Sequence, residues 1–181
     1  MGKYNEEETL KRLQDPATQS KAFEEIVNHY SQPLYWQIRR LVIDHDDADD
    51  VLQNTFIKAW TNISAFRGES KLSTWLYKIA YNESLTFLNH KKEQMSLDEE
   101  GSMVTETLES DTYIDGDETQ LMLEKAIQQL PDKQRAVFNM KYFQEMKYED
   151  ISKITGTSVG ALKASFHIAV KKIEEYFNSH D

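Results

Sequence analysis

Apolar residues recur every three to four positions along most of this chain, which is the periodicity of amphipathic helices. Six such stripes span residues 23–42, 48–63, 72–88, 123–130, 137–143 and 159–177. We expect a kink in the first stripe at Pro33, and Pro131 suits the first turn of a helix. No alternating strand pattern or hairpin signal competes with the helical stripes. The sequence therefore predicts an all-α protein.

Charge is distributed unevenly along the 181 residues, which carry a net charge of −10. Residues 96–119 hold nine acidic side chains and no basic one, whereas residues 1–95 and 120–181 are close to neutral. Like-charge repulsion and few buriable side chains are typical of a linker. The charge pattern predicts two small helical domains, residues 1–95 and 120–181, joined by an acidic flexible linker over residues 96–119.

The last part of the chain carries a helix-turn-helix pattern. The pattern predicts a short helix over residues 148–155 and a second helix over residues 159–177. Between them it predicts a tight turn at residues 156–158, with Gly156 in a left-handed position. The second helix of such a motif can enter the major groove of DNA. Small outward residues allow close approach to bases, and lysines can reach phosphates. An ordinary helical hairpin is the alternative explanation.

The third stripe has a second, partly aromatic side. Thr74, Tyr77, Lys78 and Tyr81 recur opposite its apolar residues, with Asn82 beside them. Aromatic rings next to a cation can stack unpaired bases and hold their backbone. The loop over residues 66–71 contains a glycine bend in which an extruded base could lodge. Packing of the tyrosines against a neighbouring element is the alternative.

Several classes of activity are disfavoured by what the sequence lacks. The chain has no cysteine, which excludes disulfides, thiolate metal sites and cysteine nucleophiles. The acidic run from Asp44 to Asp50 fails as a calcium loop, because Asp49 and Thr55 stand where glycine and glutamate are required. No histidines recur at i, i+4, and no phosphate-binding glycine loop is present. We therefore expect a protein that is not an enzyme and needs no cofactor or metal.

Three ordered motifs resemble one family of proteins. Residues 47–60, with the sequence DADDVLQNTFIKAW, resemble conserved region 2.2 of bacterial sigma factors, and residues 66–82 resemble regions 2.3 and 2.4. Residues 130–135 and the helix-turn-helix resemble region 4. The order and spacing of the motifs are similar to those of the extracytoplasmic-function (ECF) group of the sigma-70 family. The resemblance implies a region 2 helical bundle and a region 4 helix-turn-helix.

This resemblance implies that the chain binds core RNA polymerase and directs promoter-specific initiation of transcription. The residues expected to bind polymerase are Asp47, Asp50, Gln53, Asn54 and Lys58. Those expected to melt and read the −10 element are Arg67, Gly68, Glu69, Ser70, Lys71, Thr74, Tyr77, Lys78, Tyr81 and Asn82. Those expected to read the −35 element are Ser158, Gly160, Ala161, Lys163, Ala164, Ser165, His167, Lys171 and Lys172.

The expected partners are core RNA polymerase and promoter DNA, both double- and single-stranded. The first eight residues contain no apolar stretch typical of a secretory signal, and no apolar run is long enough to span a membrane. We therefore expect a cytoplasmic protein without direct membrane insertion. The resemblance leaves open whether a membrane-bound anti-sigma factor binds it. A regulator that uses the helix-turn-helix alone is the main rival, and a purely protein-binding helical module is another.

Three positions, at two places in the chain, depart from the family pattern. Lys91 and Lys92 stand where family members often carry arginines, and a lysine lacks the planar fork needed for bidentate base recognition. Ser165 stands where the recognition helix commonly has an arginine. We expect fewer base contacts at both places and a larger contribution from DNA shape and phosphate anchoring.

Overall fold

The computed structural model describes residues 2–98 and 117–180. Within these residues the chain forms eight α-helices and one 3₁₀ turn and contains no strand. The helices are α1 (Glu6–Leu13), α2 (Gln19–Val42), α3 (His45–Thr61), α4 (Leu72–Asp98), α5 (Glu118–Gln128), α6 (Asp132–Tyr142), α7 (Tyr148–Thr155) and α8 (Val159–Ser179). The 3₁₀ turn is Ile63–Ala65. The all-α prediction is confirmed.

The N-terminal helices are organised around α2, which packs against α1, α3 and α4. Leu34 and Ile38 of α2 are completely buried, as is Leu76 of α4. Burial of a side chain of this size contributes about 1.5–3 kcal/mol. Pro33 lies within α2 without ending it.

The acidic run at the start of α3 caps that helix. The Asp44 carboxylate accepts a hydrogen bond from the backbone N–H of Asp47 at 3.0 Å. Asp46 and Asp47 occupy the first turn, where negative charge opposes the helix dipole favourably. This is the capping role that the sequence predicts for the aspartates.

The C-terminal helices form a second arrangement, in which α8 packs against α5, α6 and α7. Phe138 of α6 is buried and stacks on the rings of Tyr142 and Phe166, with centroid distances of 5.2 and 5.6 Å. Ala169 and Ile173 of α8 complete this cluster with residues of α5. The cluster holds α8 against the helices that precede it.

The two groups of helices also pack against each other. Helix α2 contacts α6, and α4 contacts both α6 and α7. One continuous buried cluster includes Leu41 and Tyr81 from the N-terminal helices together with Met140, Ile151 and Ile154 from the C-terminal ones. The sequence contains no signal for this contact.

The linker expected over residues 96–119 falls largely on residues 99–116, which lie outside the described residues. At its two ends the described chain is helical, because α4 extends to Asp98 and α5 begins at Glu118. No helix in the described ranges combines the length and apolar character needed to cross a membrane.

Candidate nucleic-acid and polymerase interfaces

The helix-turn-helix forms where the sequence predicts it, and its second helix extends two residues beyond the predicted end, to Ser179. Helix α7 ends at Thr155, and Gly156 adopts the left-handed conformation with φ of 75°. Ser158 caps α8 by accepting a hydrogen bond from the backbone N–H of Ala161 at 3.2 Å. Ile151, Ile154 and Leu162 are buried, and they fix the angle between the two helices.

The outward face of α8 is open to solvent. Of the nine residues expected to read the −35 element, eight are exposed and Ser165 is partly exposed; they are Ser158, Gly160, Ala161, Lys163, Ala164, Ser165, His167, Lys171 and Lys172. The first turns of this face carry small side chains, and Lys171 and Lys172 lie farther along the helix. A groove-facing helix with this distribution can approach bases at its N-terminal end and phosphates farther along.

The second stripe of α4, formed by Thr74, Tyr77, Lys78 and Tyr81, is called the aromatic stripe below. The sequence predicts that it is exposed, and this prediction is wrong for two of its members. Thr74 is only 7% exposed and Tyr81 only 5% exposed, and Tyr77 is half-buried. Burial raises the pKa of the Tyr77 and Tyr81 hydroxyls above the usual value for tyrosine. The physical reason is tertiary packing, because α2, α3 and α7 all contact α4. Lys78 and Asn82 remain exposed.

The loop that precedes α4 lies beside a cavity. Arg67, Gly68, Glu69 and Lys71 are exposed and Ser70 is partly exposed. Gly68 has φ of 75°, a left-handed conformation that favours glycine. A cavity of about 530 Å³ is lined by Leu10, Leu13, Gln14, Gln19, Ile63, Ser64, Phe66, Arg67 and Gly68. Its walls therefore combine α1, the start of α2, the 3₁₀ turn and the loop, and its lining offers apolar surface together with amide and guanidinium groups.

The candidate polymerase-binding residues lie along α3. Asp50, Gln53, Asn54 and Lys58 are exposed, and Lys58 pairs with Glu83 of α4 at 2.5 Å. Asp47 is partly exposed and pairs with Lys91 at 2.9 Å. The structure thus gives two of these residues partners within the chain, and Lys91 is one of the lysines that depart from the family pattern.

Sequence reasoning missed two apolar residues on the same helix. Ile57 is 63% exposed and Trp60 is 41% exposed. Ile57 follows Gln53 and Asn54 by one helical turn, which places the three side chains on one face. Ile57 and Trp60 are three positions apart and are therefore neighbours on the helix surface, and exposed apolar side chains that lie together are a feature of protein-binding surfaces. Ile57 could have been recognised from the sequence, because it is an apolar residue that falls outside the buried positions of the α3 stripe.

No group of three or more histidine, aspartate or glutamate side chains in residues 2–98 and 117–180 could hold a metal ion. The acidic N-terminus of α3 acts instead in helix capping, as described above.

Comparison with known proteins identifies both groups of helices. A family model described as Sigma-70 region 2 matches residues 26–94, and one described as Sigma-70, region 4 matches residues 120–173. The chain is 34% identical over 156 residues to the ECF RNA polymerase sigma factor SigW of Bacillus subtilis, covering 81% of this chain and 83% of that protein. The chain belongs to the ECF group of sigma factors.

Other relatives and solved structures agree with this membership. The RNA polymerase sigma-H factor of Pseudomonas aeruginosa is 29% identical over 165 residues, with 86% of each chain covered. In fold, the chain is similar to the sigma factor RpoE of Bartonella quintana, solved with the anti-sigma factor NepR, with a TM-score of 0.70, 22% identity and coverage of 87% and 98%. It is also similar to CnrH, solved with the cytosolic domain of CnrY, with a TM-score of 0.68, 18% identity and coverage of 96% and 98%.

Sigma factors are DNA-recognition subunits of RNA polymerase that act in transcription initiation and are not enzymes. In this sigma factor, the region 2 match runs from within α2 to within α4, and the region 4 match runs from within α5 to within α8. The contact between the helices of the two regions is called the inter-region seam below. It is formed by Gln37, Arg40, Leu41 and Lys92 of region 2 with Asp132, Arg135, Asn139, Phe143 and Gln144 of region 4.

The centre of the seam is a helix terminus capped from the other region. The last carbonyls of a helix have no partner within it. In α2, the Leu41 carbonyl accepts a hydrogen bond from Arg135 Nη2 at 2.7 Å, and the Arg40 carbonyl accepts one from Asn139 Nδ2 at 3.2 Å. A guanidinium at a helix C-terminus also complements the dipole. Hydrogen bonds that involve a charged group are worth about 1.5–3 kcal/mol each.

Arg135 is almost completely shielded from solvent. The side chain is 4% exposed, and it also donates to the Leu130 carbonyl at 2.9 Å and pairs with Asp132 at 3.1 Å. Desolvation lowers the pKa of Arg135, and Asp132 opposes that shift. Lys92 of α4 pairs with the other Asp132 oxygen at 2.5 Å. The two lysines of α4 that depart from the family pattern, Lys91 and Lys92, are thus both engaged in ion pairs.

A chain of amides extends the seam toward the face of α4. Gln144 Nε2 donates to Gln37 Oε1 at 3.2 Å, and Gln37 Nε2 donates to the Tyr77 carbonyl at 3.1 Å. The guanidinium of Arg40 lies 4.5 Å from the centre of the Phe143 ring. The seam therefore joins the capped end of α2 to the part of α4 that carries the aromatic stripe.

Proposed function

We propose that this sigma factor docks on core RNA polymerase through α3, melts and reads the −10 element with region 2, and reads the −35 element with region 4. The observation that carries this proposal is the helix-turn-helix, whose recognition face on α8 is open along its length. The proposed domain limits are residues 1–95 for region 2, 96–119 for the acidic linker and 120–181 for region 4.

For the −35 element, the proposed readers are the outward residues of α8. Gly160 and Ala161 lie in the first turn, where their small size lets the backbone approach base edges. Lys163, Lys171 and Lys172 are exposed cations suited to phosphates. Ser165 in place of a larger base-reading side chain favours shape readout and phosphate anchoring.

For the −10 element, the proposed readers are Lys78 and Asn82 of α4, the loop from Arg67 to Lys71, and the aromatic stripe. The cavity beside the loop is large enough for a nucleobase, and its lining supports this assignment. Thr74 and Tyr81 are buried in the present arrangement, so their use requires a rearrangement that uncovers α4.

For polymerase, the proposed contact surface is the face of α3 formed by Asp50, Gln53, Asn54 and Ile57, flanked by Asp47 and Lys58. It combines hydrogen-bonding groups with an apolar side chain that no described residue covers well, since Ile57 is 63% exposed. This surface favours the sigma-factor assignment over a regulator that acts through its helix-turn-helix alone.

An anti-sigma factor is a proposed further partner. Two sigma factors of similar fold were solved with anti-sigma factor NepR and with the cytosolic domain of CnrY. We expect the chain to work in the cytoplasm, where polymerase and promoter DNA are found. The nine carboxylates of the linker either imitate a nucleic-acid backbone along a path through polymerase or only keep the tether solvated, and six of the nine lie outside the described residues.

Run-off transcription with purified core polymerase tests the proposed function. Core alone and core with this protein are compared on a library of genomic fragments from the source organism. The proposal predicts discrete transcripts that depend on the protein and start a fixed distance downstream of a shared sequence. Absence of any protein-dependent start, with a known sigma factor active on the same core, would contradict it.

A further inference from the structure

We propose that Ile168 of α8 reads the C5-methyl group of a thymine in the −35 element and is a specificity-determining residue beyond the nine expected readers. The proposal deepens the proposed function and rests on it, because it names the base that one position of the recognition helix selects. It concerns region 4 alone.

Ile168 is a large apolar side chain that the fold leaves open. It is 47% exposed, whereas Leu162, Ala169 and Ile173 on the packed side of α8 are buried. Every other large apolar side chain of α8, a helix that the structure describes throughout, is buried or only partly exposed. Neither buried cluster of the described residues includes Ile168. The packing of region 4 therefore does not account for this isoleucine.

Ile168 lies on the side of α8 that carries the proposed −35 readers. Residues three and four positions apart are neighbours on a helix surface. Ile168 therefore lies beside Ala164 and Ser165 one turn earlier and beside the exposed Lys171 and Lys172 one turn later. A protein-binding surface groups several exposed apolar side chains together. A single apolar side chain next to two cations is better matched by the major groove, where phosphates flank the base edges.

The major groove offers one apolar group on its base edges, which is the C5-methyl group of thymine. The other distinguishing groups there are hydrogen-bond donors and acceptors, and the Ile168 side chain can pair with none of them. A G·C pair against Ile168 would lose water from its polar groups without gaining a partner. A T·A pair would instead cover its methyl group with an apolar side chain. Ile168 therefore selects T·A by attraction and by rejection of G·C.

Deoxyuridine differs from thymidine only by the missing C5-methyl group, so it tests this contact directly. Single thymines in either strand of the −35 element are replaced in a promoter obtained from the run-off assay, and holoenzyme binding is measured by gel retardation at fixed salt. We expect one replacement to weaken wild-type binding about fourfold, which is the effect of exposing one buried methyl group. Replacement of thymines between the two elements should have no effect and is the DNA control.

Ile168→Ala supplies the protein side of a double-mutant cycle. It should weaken binding to the thymine promoter several-fold, and deoxyuridine at the selected position should then cause no further loss. Ile168→Val keeps a branched apolar side chain and should retain most of the thymine preference. Asn178→Ala shortens an exposed side chain near the end of the same helix, and it should respond to deoxyuridine as the wild type does.

The variant Ile168→Ala should fold normally, because the side chain is half exposed and alanine is the better helix former. Thermal unfolding followed by circular dichroism checks this expectation. A loss of binding in a folded variant then reports the DNA contact.

Base preference gives an independent readout. At the position identified with deoxyuridine, all four base pairs are compared. The wild type should prefer T·A, and Ile168→Ala should bind the four promoters more evenly. Lys163→Ala, which removes a proposed phosphate contact, should weaken binding to all four by a similar factor.

Three results would overturn the proposal. The first is a −35 element in which no thymine responds to deoxyuridine. The second is additive losses from Ile168→Ala and deoxyuridine at every position. The third is unchanged promoter binding by Ile168→Ala, which would assign Ile168 to a protein contact instead.

Failure of the proposed function is distinguishable from these results. It appears as the absence of any promoter-specific transcript with the wild-type protein and core. If the transcript forms and depends on the −35 sequence, but Ile168 and the thymine methyl group do not couple, only the assignment of Ile168 fails.

Discussion

Two surfaces of this molecule, the outward face of α8 and the aromatic face of α4, differ in what covers them. On α8 the proposed duplex-reading residues are exposed, with Ser165 alone only partly so. On α4 Thr74 and Tyr81 are buried and Tyr77 is half-buried beneath neighbouring helices. Both surfaces belong to the same proposed activity, yet only the face of α8 is exposed in this structure.

The difference follows from the chemistry that each surface has to perform. A duplex-reading helix needs small and cationic side chains, which are well solvated and gain nothing from burial. A strand-opening surface needs aromatic rings, and exposed rings are driven toward apolar partners. In this structure the tyrosine rings of α4 find apolar partners within the chain. The comparison predicts that changes on α4 and α8 act on separate steps of initiation.

The largest expected effect comes from removal of the α4 aromatics. Tyr77→Ala with Tyr81→Ala should abolish stacking worth ~1–3 kcal/mol per base, so strand opening should fall by an order of magnitude or more. Permanganate reactivity near the start site measures opening, and gel retardation of the holoenzyme measures closed-complex formation, which should persist. Tyr77→Phe with Tyr81→Phe keeps the rings and should retain opening. Equal loss of both steps would contradict separate roles.

A smaller effect is expected on the other surface. Lys163→Ala on α8 should weaken promoter binding by the holoenzyme several-fold and reduce the slope of its salt dependence by ~1. Permanganate reactivity per bound complex should not change. Lys21→Ala removes the same charge from an exposed position on α2 and serves as the control. An unchanged salt slope would remove Lys163 from the phosphate contacts.

A substitution in the loop beside the cavity should have an effect similar to that of Lys163→Ala or smaller. Gly68→Ala forces an alanine into the left-handed region at φ of 75° and should cost about 1 kcal/mol, or about fivefold in strand opening. No neighbour lies within 4 Å of the added methyl group, so strain is the only cause. Gly68→Asn, which tolerates this conformation better, should lose less. Equal losses in the two variants would show that backbone strain is not the cause.

The smallest effect concerns stability at alkaline pH. Burial and the nearby Glu6 and Glu25 raise the pKa of Tyr4 to about 12, above about 10 for a free tyrosine. The stability this contributes is fully present below pH ~10 and is lost as the pH rises from 10 to 12, because the unfolded chain ionises first. Thermal unfolding followed by circular dichroism should show a steeper loss in this window for the wild type than for Tyr4→Phe. Parallel curves for the two proteins would contradict the assignment.

The helix-turn-helix could be predicted from the sequence because its determinants are local. Gly156 is a glycine at the position that needs the left-handed conformation, and Ser158 is a good capping residue for α8. The apolar stripe then continues after the turn. Helix α1 was not predicted, although Asn5 followed by Glu8 resembles a capping box and the Asn5 side chain does accept from the Glu8 N–H at 3.2 Å. Its signal was short and came before the first long stripe.

The covered state of α4 and the seam could not be predicted, because both depend on residues far apart in the chain. Tyr81 looks exposed when only the stripe of α4 is considered, yet region 4 and α2 pack over that helix. Arg135 and Asn139 bond carbonyls more than ninety positions earlier. The acceptors are backbone carbonyls. Because every residue type has one, the residue types at positions 40 and 41 do not reveal these hydrogen bonds.

Oxidation of side chains by hydroxyl radicals, read by mass spectrometry, tests the contrast between the two surfaces most directly. In the free chain we expect slow oxidation at Tyr81 and fast oxidation at His167 of α8. Addition of core polymerase should raise the rate at Tyr81 several-fold, while Tyr30, which is 8% exposed and lies in the core of the N-terminal helices, stays slow. Fast oxidation of Tyr81 in the free chain, or no change in a holoenzyme that makes promoter-specific transcripts, would contradict the account.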